Sequence, residues 1–298
     1  MTMLKIDPKE VSTGKLHAYM LSSVMPRPIA FASTIDKDGK PNLAPFSFFN
    51  AFSSNPPTLI FSPARRVKDN TIKHTLENVR DVAEVVVNVV SYKMVHQTSL
   101  ASMEYEKEVN EFEKAGFTAI ESKIVKPFRV KESPVQFECM VKEVIELGTE
   151  GGAGNLIVCE IVMMHINEEI LDEDGKIDMN KIDLVGRMGG NNYSRASGAA
   201  VFQVMKPGLN IGIGFDQMPA EIQSSSFLTG NDLGKLGQIE KLPSNGDIEE
   251  YSSAGRVNEL KEKYQSDKQA LEDQLHQLAH EMLEEDKVEE AWKVLLSS

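Results

Sequence analysis

The chain has 298 residues, of which 41% are hydrophobic and 26% are charged, a composition typical of globular proteins. Its formal net charge of −13 argues against a general nucleic-acid binder, which needs a basic field to meet phosphate. The N-terminus shows no basic-then-apolar export signal, and no stretch approaches the roughly 18 apolar residues of a membrane helix. The two cysteines, Cys139 and Cys159, lie in apolar surroundings, so we expect reduced thiols and a cytoplasmic protein.

Short apolar segments separated by turn residues dominate the first 170 residues. Asp36–Gly39 and Asp172–Gly175 carry hairpin turn chemistry, and the spacing of Ile72, Leu76 and Val79 predicts a helix over 71–80. Many short strands with few helices favour a β-barrel over a doubly wound α/β sheet. Strands are predicted at Pro28–Ile35, Asn42–Asn50, Thr58–Ser62, Glu84–Val90, Val135–Leu147 and Leu156–Ile166.

The last third of the chain has a different character, which predicts a division into 1–200, 201–250 and 251–298. The middle part is rich in Gly, Ser, Asn and Pro and is predicted to be irregular, while Glu249–Ser298 contains 13 acidic and 6 basic residues. Apolar residues from Val257 to Met282 recur at helical intervals and predict one long amphipathic helix. Asp286 and Glu289 form a candidate capping box for a second helix with an apolar face of Val288, Trp292 and Leu295. The barrel, a second subunit or another protein must cover the long apolar stripe.

Two segments contain what a phosphorylated aromatic ligand requires. Hydroxyl and amide groups of Ser47, Asn50, Ser62 and Thr71 can bond phosphate oxygens, and the loop between them supplies Arg65, Arg66 and Lys68. A helix opening at Thr71 would add a favourable dipole, and Phe46, Phe48 and Phe49 offer flat apolar surface. The alternative is an ordinary strand with alternating core and surface residues, followed by a solvated basic loop.

The order and spacing of these motifs resemble the flavin reductase-like family. The chain shows Pro-Arg-Pro-Ile-Ala at 26–30, Asn-Leu-Ala-Pro-Phe-Ser-Phe-Phe-Asn at 42–50, Lys-Asp-Asn-Thr at 68–71 and Gly-Gly-Asn-Asn-Tyr at 189–193. The resemblance covers roughly Ser12 to Ser197. It implies a mainly β FMN-binding split barrel, a six-stranded antiparallel Greek-key barrel with peripheral helices. It also implies a homodimer with FMN at the subunit interface, and it is silent on the C-terminal helical extension.

The resemblance also assigns cofactor-binding residues. Ser47, Phe48, Phe49 and Asn50 would line the phosphate and ribityl side, largely through backbone groups. Arg27 and Asn88 would lie near the flavin, and Tyr193 would cover its ring, in its own subunit or the partner's. The family usually shows Lys-Asp-Thr, so the additional Asn70 leaves open which residue takes the hydroxyl role. The phosphate site would be completed by Ser62, Lys68, Asp69, Asn70 and Thr71.

These assignments predict an NAD(P)H-dependent flavin reductase that passes a hydride to flavin N5. Two alternatives stay open: an FMN electron carrier with a redox-protein partner, and a non-catalytic FMN sensor or interaction protein. The glycines at 151–154 and at 212 and 214 are predicted to be turns rather than a nucleotide loop, and no catalytic dyad is identified. His276 and His280 are expected to form a polar helix face rather than a metal site, and His96 is a secondary candidate near the flavin. The choice between NADH and NADPH and the final electron acceptor do not follow from the sequence.

Overall fold

A computed structural model of the chain describes residues 2–204 and 211–297. The chain divides into two compact units, Met1–Phe202 and Gln203–Ser298. Within the described ranges, no helix combines the length and the apolar character needed to cross a bilayer. The three-part division made from the sequence stays a prediction.

Across its described residues, the first unit contains eleven strands and five α-helices. The helices are α1 (Thr13–Ser23), α2 (His74–Asp81), α3 (Val95–Leu100), α4 (Glu111–Ala115) and α5 (Met179–Ile182). The strands are β1 (Ala30–Ile35), β2 (Pro41–Phe46), β3 (Phe49–Ser54), β4 (Pro57–Phe61), β5 (Glu84–Asn88), β6 (Ala119–Ile120), β7 (Arg129–Val130), β8 (Val135–Glu146), β9 (Asn155–Ile166), β10 (Val185–Arg187) and β11 (Tyr193–Arg195).

Seven strands form one antiparallel sheet in the order β2-β1-β5-β8-β9-β4-β3. The prediction of a mainly β first unit is confirmed, but a closed six-stranded barrel is not: within the described residues the sheet has seven strands, and its hydrogen bonds do not close it. The reason lies at Ser47 and Phe48, where the segment predicted as a single strand bends and becomes β2 and β3. These two strands end at opposite edges of the sheet although they are consecutive in the chain.

Both Asp-Gly hairpin turns are confirmed. The Asp36 N–H donates to the Lys40 carbonyl, and Gly39 has a φ of +83°, which only glycine adopts without strain. At the second turn the Asp172 N–H donates to the Lys176 carbonyl, and Gly175 has a φ of +74°. In both turns the aspartate side chain also accepts backbone N–H bonds, which explains why Asp precedes the glycine.

The helix predicted over 71–80 begins three residues later, at His74, with Lys73 as its N-cap. Thr71 is held in the preceding loop because its N–H and its hydroxyl both donate to the Asp69 carboxylate. The helix dipole therefore does not start at Thr71, and that part of the anion-site argument is wrong. The buried face of the helix, Leu76 and Val79, packs into the core of the sheet with Phe61, Val85 and Ile157.

Helices make up most of the described residues of the second unit, and three of them begin inside the 201–250 segment predicted to be irregular; residues 211–219 of that segment are irregular, and residues 205–210 lie outside the described residues. The unit contains α6 (Ala220–Gln223), α7 (Gly230–Leu236), α8 (Asn245–Ser252), α9 (Gly255–Lys263), α10 (Lys268–Glu284) and α11 (Val288–Leu295). Reciprocal capping boxes begin α7, at Thr229 and Asp232, and α8, at Ser244 and Asp247. These Ser/Thr-x-x-Asp patterns are visible in the sequence, and they outweigh the local abundance of glycine and asparagine.

The long helix predicted from Val257 to Met282 is interrupted between α9 and α10. Its apolar stripe packs with Leu236, Leu283 and Trp292 into a core formed within the second unit, so the stripe needs neither the barrel nor a partner. The predicted apolar face of α11 is confirmed, but the capping box at Asp286 is wrong. Asp286 adopts a positive φ of 58° and pairs with Lys235, which leaves the uncapped Lys287 at the helix start.

Candidate functional site

The bend between β2 and β3 brings Ser47 and Phe48 against the start of the basic loop. The Ser62 N–H donates to the Phe48 carbonyl at 2.8 Å, which ties the bend to the end of β4. Ser47 and Phe49 are half-buried, whereas Phe48 and Asn50 are exposed. Because β3 lies at the sheet edge, the backbone of this segment is accessible on one side.

Arg27 is buried and links three segments of the first unit. Its Nη1 donates to the carbonyls of Leu21 and Val24 at 2.6 and 2.7 Å, and its Nη2 donates to that of Met188 at 3.1 Å. Its Nε reaches the Ser47 hydroxyl at 3.3 Å. Burial, followed by the charge of Arg187, lowers the pKa of Arg27. Arg27 therefore positions the bend at Ser47 rather than presenting its charge freely to a ligand.

The loop after β4 is organised by Asn70, which has a positive φ of 58°. Arg65 clamps this residue: its Nε donates to the Asn70 Oδ1 at 2.7 Å and its Nη2 to the Asn70 carbonyl at 2.8 Å. The Thr71 hydroxyl donates to Asp69 at 2.6 Å and accepts from Arg66 Nη1 at 2.9 Å. Asn70 and Thr71 are thus both hydrogen-bonded within the loop, Asn70 to Arg65 and Thr71 to Asp69 and Arg66.

Charge in this loop is only partly compensated. The hydroxyl and the N–H of Thr71 hold the pKa of Asp69 below its ordinary value. Arg66 pairs with Glu104 at 2.9 Å, and Lys73 lies 3.8 Å from the same carboxylate. Burial, reinforced by Arg66, lowers the pKa of Lys73. Lys68 is exposed and has no carboxylate partner among the residues that the structure describes. Sequence reasoning missed Lys73 and Glu104.

The loop between β8 and β9 closes against the basic loop. The Arg65 N–H donates to the Ala153 carbonyl at 2.8 Å, and the Gly152 N–H donates to the Arg65 carbonyl at 3.0 Å. A β-carbon at Gly151 would come within 3.0 Å of the Arg66 carbonyl, and one at Gly154 within 2.8 Å of the Ser62 Oγ. The glycines of this predicted turn therefore also allow the two loops to approach each other closely, because a side chain at Gly151 or Gly154 would collide with the basic loop.

The interior of this junction contains polar atoms without partners. The Ser62 Oγ and the Asn155 Oδ1 are buried and make no hydrogen bond within the described residues. An unpaired buried hydroxyl costs free energy unless a ligand or water satisfies it. A hydroxyl donor beside basic side chains has donors of the kind that a phosphate monoester requires. The residues present therefore fit a phosphorylated ligand.

The structure does not bring Asn88 together with these residues. Asn88 is completely buried on β5, where its Nδ2 donates to the Phe31 carbonyl at 2.9 Å and its Oδ1 accepts the Val130 N–H at 3.0 Å. Both polar atoms of its side chain are satisfied, and none of its surface is accessible. The Asn88 side-chain amide therefore links the main sheet to β7.

Tyr193 lies on the β10–β11 hairpin, with the Arg187 guanidinium 4.6 Å from its ring centroid. The hairpin is joined to the Arg27 segment by two backbone hydrogen bonds between Arg27 and Arg187, of 3.0 and 2.8 Å. Tyr193 is thereby connected through Arg27 to the bend at Ser47. Its ring is 40% exposed.

The two histidines of α10 have internal partners. His276 Nδ1 lies 2.8 Å from the Ser225 Oγ, and His280 Nδ1 lies 2.9 Å from the Asp232 carboxylate. The expected exposed polar face is wrong for His276, which is buried. Across residues 2–204 and 211–297, no group of three His, Cys, Asp or Glu side chains is arranged to hold a metal ion.

Comparison with known proteins places the first unit. Residues 21–181 match the model of the flavin reductase like domain. The chain belongs to this family. It is also 40% identical over 196 residues to an uncharacterized protein of Aquifex aeolicus (strain VF5), an alignment that covers 66% of this chain and 97% of that protein. Tyr193 and the whole second unit lie outside the family match.

Two solved structures resemble the chain over about the same region. One is nitrilotriacetate monooxygenase component B from Bacillus cereus, with 28% identity, a TM-score of 0.64, and coverage of 68% of this chain and 100% of that one. The other is 2-nitrobenzoate 2-nitroreductase of Pseudomonas fluorescens, with 26% identity, a TM-score of 0.60, and coverage of 68% and 96%. The first unit therefore shares its fold with these two proteins.

Proposed function

We propose that the chain is an FMN-binding oxidoreductase that accepts reducing equivalents from NADH or NADPH, as a flavin reductase does. The observation that carries this proposal is the buried Ser62 hydroxyl, which lies next to Gly154, has no hydrogen-bond partner among the described residues and precedes a loop that contains Arg65, Arg66 and Lys68. A phosphate monoester supplies the acceptor that this hydroxyl lacks, and the cationic loop stabilises its charge.

Each part of the site has a distinct role in this proposal. Ser62 and Lys68 hold the phosphate, while Asp69, Asn70 and Thr71 complete its site and keep the loop in its conformation. Ser47, Phe48, Phe49 and Asn50 line the ribityl and ring side, at a bend that Arg27 positions. Tyr193 covers the ring. Asn88 acts indirectly, since it fastens the sheet behind the site.

A bound flavin would supply the redox chemistry, as the acceptor of a hydride at N5. The chain's own residues orient the two reacting rings and exclude water from between them. No general base is required for this step, consistent with the absence of an identifiable catalytic dyad in the sequence. The chain contains no Rossmann fingerprint, so the nicotinamide nucleotide binds to the split-barrel unit itself.

We further propose that the chain functions as a homodimer in the cytoplasm. The edge strand β3 and the outer part of β9 expose apolar side chains, among them Phe52 at 63% and Met164 at 43% exposure. Exposed edge strands with apolar residues are common protein–protein contact surfaces. Light scattering of the purified protein would report the molar mass, and a monomer at micromolar concentration contradicts this part of the proposal.

Anaerobic absorption spectroscopy tests the function directly. The full-length protein is loaded with FMN, and its visible flavin bands are recorded before and after addition of NADH and then NADPH. Bleaching by either nucleotide supports a flavin reductase. Bound flavin that neither nucleotide bleaches favours an electron carrier or a sensor instead. Failure to take up FMN contradicts the assignment of Ser47 to Thr71.

A further inference from the structure

Apart from the candidate flavin site, the first unit contains a cavity of about 350 Å³ between the 92–100 segment and the β10–β11 hairpin. This volume is at the lower end of the roughly 300–1,000 Å³ typical of ligand pockets. In the described part of the chain, no acidic residue lines it, although the protein as a whole carries a net charge of −13. The residues that determine its chemistry are Tyr92, His96, Ser99, Arg187, Tyr193 and Arg195.

The two arginines of the cavity differ in their partners. Arg195 makes a two-pronged ion pair with Asp183, at 2.7 and 2.8 Å, so its charge is compensated. Arg187 donates from Nη1 to the Asn192 carbonyl at 3.2 Å and has no carboxylate partner within the described ranges. The cavity thus presents one uncompensated guanidinium group, which matches a ligand with a single negative charge.

Each tyrosine of the cavity supplies flat apolar surface next to one of the two arginines. The guanidinium carbons of Arg187 and Arg195 lie 4.6 and 4.0 Å from the ring centroids of Tyr193 and Tyr92, respectively. Both rings are partly exposed. Aromatic side chains favour a flat ring as a neighbour, and a guanidinium fork favours a carboxylate. Phosphate esters of nucleotides carry more charge than one free arginine compensates.

We infer that this cavity is a binding site for a small aromatic carboxylate. Arg187 pairs with the carboxylate, and the Tyr92 ring contacts the ligand ring. Through its two backbone hydrogen bonds with Arg27, Arg187 stands next to the segment that contacts Ser47. The site therefore adjoins the candidate flavin site. The idea that the carboxylate is a substrate of the flavin rests on the proposed function.

Calorimetric titration of the full-length protein with benzoate and with benzyl alcohol tests this inference. Benzyl alcohol keeps the ring but lacks the charge. The wild-type protein is expected to bind benzoate at least tenfold more tightly than benzyl alcohol. The R187Q variant should lose at least tenfold in benzoate affinity and keep its affinity for benzyl alcohol, which also shows that its cavity is intact. The matched control is R80Q, an exposed arginine of α2 that pairs with Glu146, and it should bind both as the wild type does.

Three outcomes overturn the inference. Benzoate affinity that is equal in wild type and R187Q removes the role of the charge. Tighter binding of ADP-ribose than of benzoate, with competition between them, makes the cavity a nucleotide site. Loss of benzoate binding on FMN loading makes the cavity part of the flavin site. Benzoate is titrated with and without FMN. If the protein takes up no flavin but still binds benzoate through Arg187, the proposed function fails and this site stands.

Discussion

Gly154 and Ser62 belong to different loops, yet a β-carbon on Gly154 would lie 2.8 Å from the Ser62 hydroxyl oxygen. This approach encloses the hydroxyl between the β8–β9 hairpin and the basic loop, where it has no hydrogen-bond partner within residues 2–204 and 211–297. The arrangement is costly in a protein that binds nothing there, because a buried polar group is normally satisfied. It is reasonable in a protein whose ligand provides the missing acceptor.

The substitution G154A should weaken FMN binding at least tenfold. The added methyl group must displace either Ser62 or the hairpin, since overpacked positions cost about 1–3 kcal/mol. Flavin fluorescence quenching measures the dissociation constant. The control is G148A in the same hairpin loop, whose β-carbon would meet only the Ala153 methyl, at 3.4 Å. Equal FMN affinity in G154A and wild type would show that the approach is unrelated to the ligand.

The substitution S62A should leave the flavin-free protein as stable as wild type, within about 0.5 kcal/mol, because the hydroxyl has no partner to lose. FMN binding should weaken roughly ten- to a hundredfold, since a hydrogen bond to a charged group contributes about 1.5–3 kcal/mol. Riboflavin, which lacks the phosphate, should bind both proteins equally. Ser33 on β1 is also buried and unpartnered, so S33A is the matched control and should leave FMN affinity unchanged. A loss of riboflavin affinity in S62A contradicts the phosphate assignment.

The substitution E138Q should destabilise the first unit by about 1–3 kcal/mol at pH 7. Burial by itself raises the pKa of Glu138, but hydrogen bonds from the N–H groups of Lys123, Ile124 and Val125 and from His165 outweigh it and lower the pKa.

Because the folded pKa of Glu138 is depressed, its stabilisation is complete above the unfolded value of about 4.3 and is lost as the pH falls through the folded pKa. The difference between wild type and E138Q should therefore shrink below about pH 4. Urea unfolding, followed by the β-sheet signal in circular dichroism, measures it across this range. E143Q, a substitution of an exposed residue, is the control. If the stability difference between wild type and E138Q does not depend on pH, the lowered pKa of Glu138 does not explain it.

The substitution L283A should destabilise the second unit alone, by about 2–5 kcal/mol, because Leu283 is completely buried in its core. The single tryptophan, Trp292, belongs to the same core and donates from its indole nitrogen to the Leu236 carbonyl at 3.0 Å. Its fluorescence therefore reports unfolding of this unit. FMN affinity should not change, since every proposed flavin residue lies within Met1–Phe202. The exposed L242A serves as control, and a parallel fall in FMN affinity would contradict the separation.

Much of the first unit was predictable because its signals are local. The Asp-Gly turns, the β-branched β5 segment and the paired strands β8 and β9 follow from side-chain alternation and turn chemistry, which depend on neighbouring residues. The same holds for the apolar face of α11. The Ser/Thr-x-x-Asp caps of α7 and α8 are equally local signals, but the glycine-rich composition around them led to the prediction of an irregular segment.

The candidate site followed only in part. Ser47, Phe48 and Ser62 are joined as their motif order implied. By contrast, both polar atoms of the Asn88 side chain are bonded within the sheet, and Arg27 gives three of its four hydrogen bonds to the carbonyls of Leu21, Val24 and Met188. Residue type shows that a side chain can bond a ligand. It does not show that a carbonyl on another strand already occupies it.

By itself, the sequence determined the family, the alternating strands, the tight turns and the acidic helical end, because each depends on composition or on interactions a few residues apart. The tertiary structure decided that the chain bends at Ser47, that the sheet stays open with seven strands, and that the last unit forms its own core. It also decided that Gly154 reaches Ser62, 92 residues away in the chain by their numbering. Such approaches are the sum of many weak long-range interactions, which no local pattern encodes.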